Sequence, residues 1–77
     1  MEDGEVLKHI DRLAREEQHL YARDDLREEE VLRLRNISVE LDQCWDLLRQ
    51  RRGLRDADAV PDVAKVRPAD VVEKYEQ

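Results

Sequence analysis

The chain has 77 residues, 44% of them charged, with one Cys, one Trp, two Tyr, no Phe and a formal net charge of -6. One cysteine excludes an internal disulfide, and no cluster of Cys, His or carboxylates has the spacing of a structural metal site. The acidic balance counts against nucleic acid and anionic membranes as partners.

No stretch approaches the ~18 consecutive apolar residues of a membrane span. The opening Met1-Glu2-Asp3-Gly4 lacks the basic-then-apolar order of a secretory signal. The expectation is one cytoplasmic domain with a reduced thiol. A core of this size rarely supplies more than ~3–5 kcal/mol, so a small domain needs a staple. Association with another chain is the staple that remains.

Residues 4–23 read as a first helix. Asp3 and Gly4 are placed to cap it, and Glu5 suits the positive end of the helix dipole. Val6, Ile10, Leu13 and Leu20 recur with helical period, and Leu7, Ala14 and Tyr21 widen the stripe on one side. Arg23 to Leu26 reads as a tight turn between antiparallel helices, with Asp25 and Glu28 at capping-box spacing. The other reading is one continuous helix, because no Gly or Pro interrupts this stretch.

A second helix is expected over 27–52. Leu34, Ile37, Leu41, Cys44 and Leu48 alternate three and four apart, with Trp45 beside them. Gly53 has the character of a C′ residue. Glu28, Glu29 and Glu30 at the start and Arg49, Arg51 and Arg52 at the end complement the macrodipole. Leu32 and Val39 lie on the opposite side, either as scattered exposed residues or as contacts for the tail or a second protomer.

Periodicity is then lost over a loop at 54–66, and Pro68 and Asp70 suit positions N1 and N3 of a short helix at 68–76. Such a helix is unstable alone. It must dock or fray, and Val71, Val72 and Tyr75 give it one apolar side. Net charge is -4 over residues 1–25, +1 over 26–55 and -3 over 56–77, so the arginine-bearing second helix attracts both other parts.

The runs LDQCWDLLRQRR (residues 41–52) and VRPADVVEKYEQ (66–77) resemble a family of short actinobacterial proteins known only as a domain of unknown function. The likeness covers nearly the whole chain. It implies a predominantly helical cytosolic protein from a high-GC bacterium. It brings no activity, substrate, cofactor or catalytic residue with it.

Each chemical candidate has a plainer competitor. Cys44 is the one nucleophile of note, yet it lies on the apolar stripe late in its helix, where the dipole does not lower a thiol pKa. A buried structural role is favoured over a redox sensor. Glu16 and His19 have the Glu-x-x-His spacing of di-iron bundles, but they flank the stripe instead of pointing inward. Glu17 lies on the stripe and needs a partner if buried; antiparallel pairing brings it level with Arg33 and Leu34, so it is expected to reach Arg33 or an arginine of a partner chain. Simple exposure is the other reading for Glu17. His9 is given an edge packing role.

Arg49, Arg51, Arg52 and Arg55 form the basic patch, read either as a phosphate or RNA contact or as an ordinary helix C-terminal charge cluster. No set of stacking aromatics accompanies it. Trp45 is expected to be buried, within the chain or across a dimer, with the last helix as its natural cover.

These readings converge on an all-α fold. It is an antiparallel two-helix hairpin plus a short C-terminal helix, dimerising into a four-helix bundle because one hairpin cannot cover its apolar seam. The expected function is a non-catalytic interaction or structural protein without metal or cofactor. Leu34, Ile37, Leu41, Cys44, Trp45, Leu48 and Tyr75 are the expected contacts. The partner is a second copy or an unidentified protein. The alternatives are a nucleic-acid-associated regulator using the arginines and a thiol sensor using Cys44.

Overall fold

The structure, a computed structural model, describes the backbone of residues 2–75 and the side chains of residues 2–73. Helix α1 (Asp3–Tyr21) is followed by α2 (Glu28–Asp56), a 3-10 turn (Pro61–Val63) and α3 (Ala69–Tyr75). Among the described residues the fold is all-helical, without strands.

Helix α1 forms because Val6, Ile10, Leu13 and Leu20 return to one side every three to four residues, and all four are buried. Its N-cap is Glu2, in extended backbone, instead of Asp3 or Gly4. Asp3 opens the helix, and its carboxylate goes to arginines of α2. The connection then runs over residues 22–27. The expected box on Asp25 and Glu28 is displaced by two residues. Arg27 is the N-cap, and its backbone N–H donates to the Glu30 carboxylate at 3.1 Å. Arg23 also pairs with Glu30, which ties the turn to the first turn of α2.

Gly53 does not end α2. It has an ordinary negative φ, and the helix runs on to Asp56. The stop comes at Asp58, whose φ of 58° is left-handed. Asp58 N–H donates to the Arg55 carbonyl at 3.0 Å and Ala59 N–H to that of Leu54 at 2.7 Å, the paired bonds of a Schellman ending. Asp is one of the few non-glycine residues that tolerate this conformation.

Ion pairs fix the antiparallel register of the hairpin. Glu16 meets Arg33, His9 meets Glu40 and Asp3 meets Arg51, so partners rise along α2 as they fall along α1. Two patches of core lie between the helices. Val6, Ile10 and Leu47 form one, and Leu13, Leu20 and Ile37 the other. Leu41 and Cys44 pack against both. Ile37, with none of its surface accessible, is the centre.

The C-terminal segment folds back along α2. Helix α2 touches α1 on one side and the 3-10 turn and α3 on another, while α1 and α3 do not meet among the described residues. The helices therefore form a row with α2 in the middle, not a closed three-helix bundle. Helix α3 starts one residue later than expected, and the Pro68 carbonyl accepts its first bonds, from Val71 and Val72. Val72 is buried. The row leans to one side, since Ala64 reaches the Val6, Ile10 and Leu47 patch.

Candidate interaction surface

Position on a helix repeats closely every seven residues. On α1, Leu7, Ala14 and Tyr21 share one flank of the buried stripe; His9 and Glu16 share the other. On α2, Val31, Ser38 and Trp45 share one flank; Arg33 and Glu40 share the other. The pairs His9–Glu40 and Glu16–Arg33 bridge the helices on the second side. The first side therefore carries Leu7, Tyr21, Val31 and Trp45 together. Their exposures are 49%, 68%, 53% and 48%. This is the apolar face of the hairpin that the C-terminal segment leaves bare.

Trp45 is not buried within the chain as expected. The segment meant to cover it runs along the far side of α2, held by polar side chains. Gln43 Nε2 donates to the Arg67 carbonyl at 3.1 Å. Gln50 Nε2 donates to the Lys65 carbonyl at 2.7 Å and to Asp46 at 2.9 Å. Asp46 also pairs with Arg67 at 3.4 Å. Satisfying backbone carbonyls in this way is what lets an irregular strand lie against a helix.

Sequence reasoning missed this contact, although Gln43, Asp46 and Gln50 at three- and four-residue spacing were its visible sign. Of the other expected contacts, Ile37 is buried and Leu34, Leu41, Cys44 and Leu48 are half-buried in the seam. The side chain of Tyr75 lies outside the described residues. Leu32 is exposed, and Val39, on the side of the tail, is half-buried.

The arginines do not make one basic patch. Arg51 is buried at 6% exposure; its Nε donates to Asp3 at 2.5 Å and its other arm reaches Asp62 at 3.2 Å. Arg55 also reaches Asp3, at 2.6 Å. The hydrogen bond from Arg51, then that from Arg55, holds the Asp3 carboxyl below its usual range. Two of the four cations are thus neutralised, and Arg49 and Arg52 remain exposed. Neither has a carboxylate partner among the described residues.

The partner of Arg33 is Glu16, not Glu17. Arg33 Nε and a terminal nitrogen donate to the two Glu16 oxygens at 2.5 and 3.2 Å. That fork lowers the Glu16 pKa and raises that of Arg33. Glu16 stands beside the seam, where a long arginine can reach it, whereas Glu17 faces the seam half-buried.

A family model described as "Protein of unknown function (DUF2630)" matches residues 2–77. The chain belongs to this family. It is 53% identical over 79 residues to the uncharacterized proteins Mb0922c of Mycobacterium bovis and Rv0898c of Mycobacterium tuberculosis, covering 95% of this chain and 88% of each relative. No solved structure matches it. No helix among the described residues is long and apolar enough to cross a membrane.

This DUF2630 member holds one further feature of chemical interest. A cavity of about 270 Å³ opens between α1, α2 and the returning chain, lined by Val6, His9, Glu40, Cys44, Leu47 and Val66. The Cys44 thiol is half-buried there. Burial raises its pKa, and the negative charge of Glu40 adds to the effect. The thiol is therefore held in its protonated, weakly nucleophilic form.

Proposed function

We propose that this chain is a non-catalytic cytoplasmic interaction module that works by pairing with a second copy of itself. The observation that carries this reading is the bare face of the hairpin, where Trp45 and Leu7 are each about half exposed. Large apolar side chains gathered on one flank of a small charged protein favour a contact site there, and Trp is enriched at the energetic centres of interfaces. Covering the face with its own copy gives a four-helix bundle and supplies the core that one hairpin lacks.

The competing readings are weaker on physical grounds. Arg51 and Arg55 are occupied by Asp3 and Asp62, which leaves two of the four arginines, Arg49 and Arg52, to meet phosphate. A redox sensor needs a thiolate, and Cys44 is biased toward the thiol.

Light scattering across a concentration series tests the proposal. The expected result is twice the chain mass for the wild type and the single-chain mass for Trp45→Glu, with helicity retained. A single-chain mass for the wild type throughout overturns it.

A further inference from the structure

We propose that the cavity between α1, α2 and the returning chain binds a small amphiphilic amine, with its apolar body inside and its ammonium at Glu40. The cavity is on the side of the hairpin that carries His9 and Glu40, away from the bare face. The site therefore stands apart from self-association.

Size and walls set the body of the ligand. The volume is about 270 Å³. A cavity of about 150 Å³ takes a benzene ring, so there is room for one ring or a short alkyl chain together with a head group. Val6 and Leu47 give a buried aliphatic wall, at 1% and 5% exposure. The Cys44 thiol adds polarisable surface, and Val66 lines the cavity from the returning chain. Apolar walls with a few polar groups among them are the usual make-up of a small-molecule site.

Charge sets the head group. With histidine counted as neutral, Glu40 is the single full charge among the described residues of the lining. Its carboxylate lies 3.5 Å from His9 Nε2, and both side chains are nearly half exposed. An exposed pair of this kind is weak, so the carboxylate can turn to an ammonium at little loss. Arg33 feels the Glu40 charge but is forked onto Glu16. Gln43 donates Nε2 to the Arg67 carbonyl, and its oxygen is a second acceptor on the lining. The Glu40 charge also reaches Cys44, where it helps to raise the thiol pKa. An ammonium gains from this negative field. A carboxylate or phosphate on the same body meets Glu40 with like charge, and an alcohol gains the apolar contact alone.

Hexylamine, hexanol and hexanoate share one body and differ in head group. Each is titrated at pH 7 into the full chain and into Glu40→Gln while proton–nitrogen NMR spectra are recorded. In the wild type, hexylamine is expected to shift the amides of Val6, His9, Cys44 and Leu47 saturably, with hexanol about fivefold weaker and hexanoate without effect. Glu40→Gln is expected to bring hexylamine down to the level of hexanol and to leave hexanol unchanged. No saturable shift at these residues with any of the three, up to about 10 mM, overturns the site. Hexanol or hexanoate binding the wild type as tightly as hexylamine overturns the choice of an amine, as does a preference for hexylamine that survives in Glu40→Gln.

Discussion

Arg51 joins Asp3 across 48 positions of sequence, and the bond closes the open end of the hairpin. The guanidinium is nearly inaccessible and extends a second contact to Asp62, so one side chain ties the start of α1, the end of α2 and the returning chain together. A buried cation depends on its partners, because removing one leaves the charge uncompensated.

The first prediction follows from that bond. Asp3 has a lowered pKa in the folded chain. Its stabilising contribution is therefore present above the unfolded carboxylate pKa of about 3.9 and is lost as pH falls through the folded value. Asp3→Asn is expected to melt below the wild type at pH 7, with the difference shrinking as pH drops below about 4. Thermal melts at pH 7 and pH 3 measure this. A difference that stays constant or grows in acid contradicts the assignment.

Ile37 is the most enclosed aliphatic side chain of the hairpin. Ile37→Ala removes its packing and leaves a cavity, at an expected cost of about 2–5 kcal/mol. Urea unfolding monitored by circular dichroism gives the value. A loss below about 1 kcal/mol would mean that the two core patches do not close around this residue.

The polar clasp on the far side of α2 makes a separate prediction. Asp46→Ala and Gln50→Ala each remove a holder of the segment around Lys65 and Arg67. Trypsin is expected to cut after Lys65 several-fold faster in either variant than in the wild type, with little change in helicity. Unchanged cleavage would show that Val72 and its surroundings hold the segment without the clasp.

Legibility in the sequence followed the kind of contact. The α1 stripe was readable because Val6, Ile10, Leu13 and Leu20 bury a single apolar side against one neighbour. Helix α2 packs on two sides, and the side toward the tail uses Gln43, Asp46 and Gln50. In a sequence, such residues look like solvent-facing ones, which is why Trp45 was given a cover that lies elsewhere. The helix stop was misread for a related reason. Gly53 has the usual identity of a C′ residue, but Asp58 takes the left-handed conformation. The choice between Glu16 and Glu17 turned on a single position of register, below the resolution of periodicity. The opposing charge of Asp3 and Arg51 was visible as segment totals, and their pairing needed three dimensions.

Cys44 yields a fourth prediction. With the thiol half-buried and its pKa raised, labelling of the native protein at pH 7 is expected to be at least about tenfold slower than in denaturant. The rate should rise with pH through the alkaline range. Native labelling as fast as that of the unfolded chain would return the redox sensor to consideration.

The central claim is that the bare face of the hairpin is covered by a second copy. Trp45 is the single tryptophan, so its emission reports on that face alone. Fluorescence and acrylamide quenching of the wild type over a wide dilution series test the claim most directly. The account predicts blue-shifted, poorly quenched emission at high concentration, turning red-shifted and readily quenched on dilution, with helicity retained throughout. Emission and quenching that stay the same at every concentration, at the level of a half-exposed indole, contradict it.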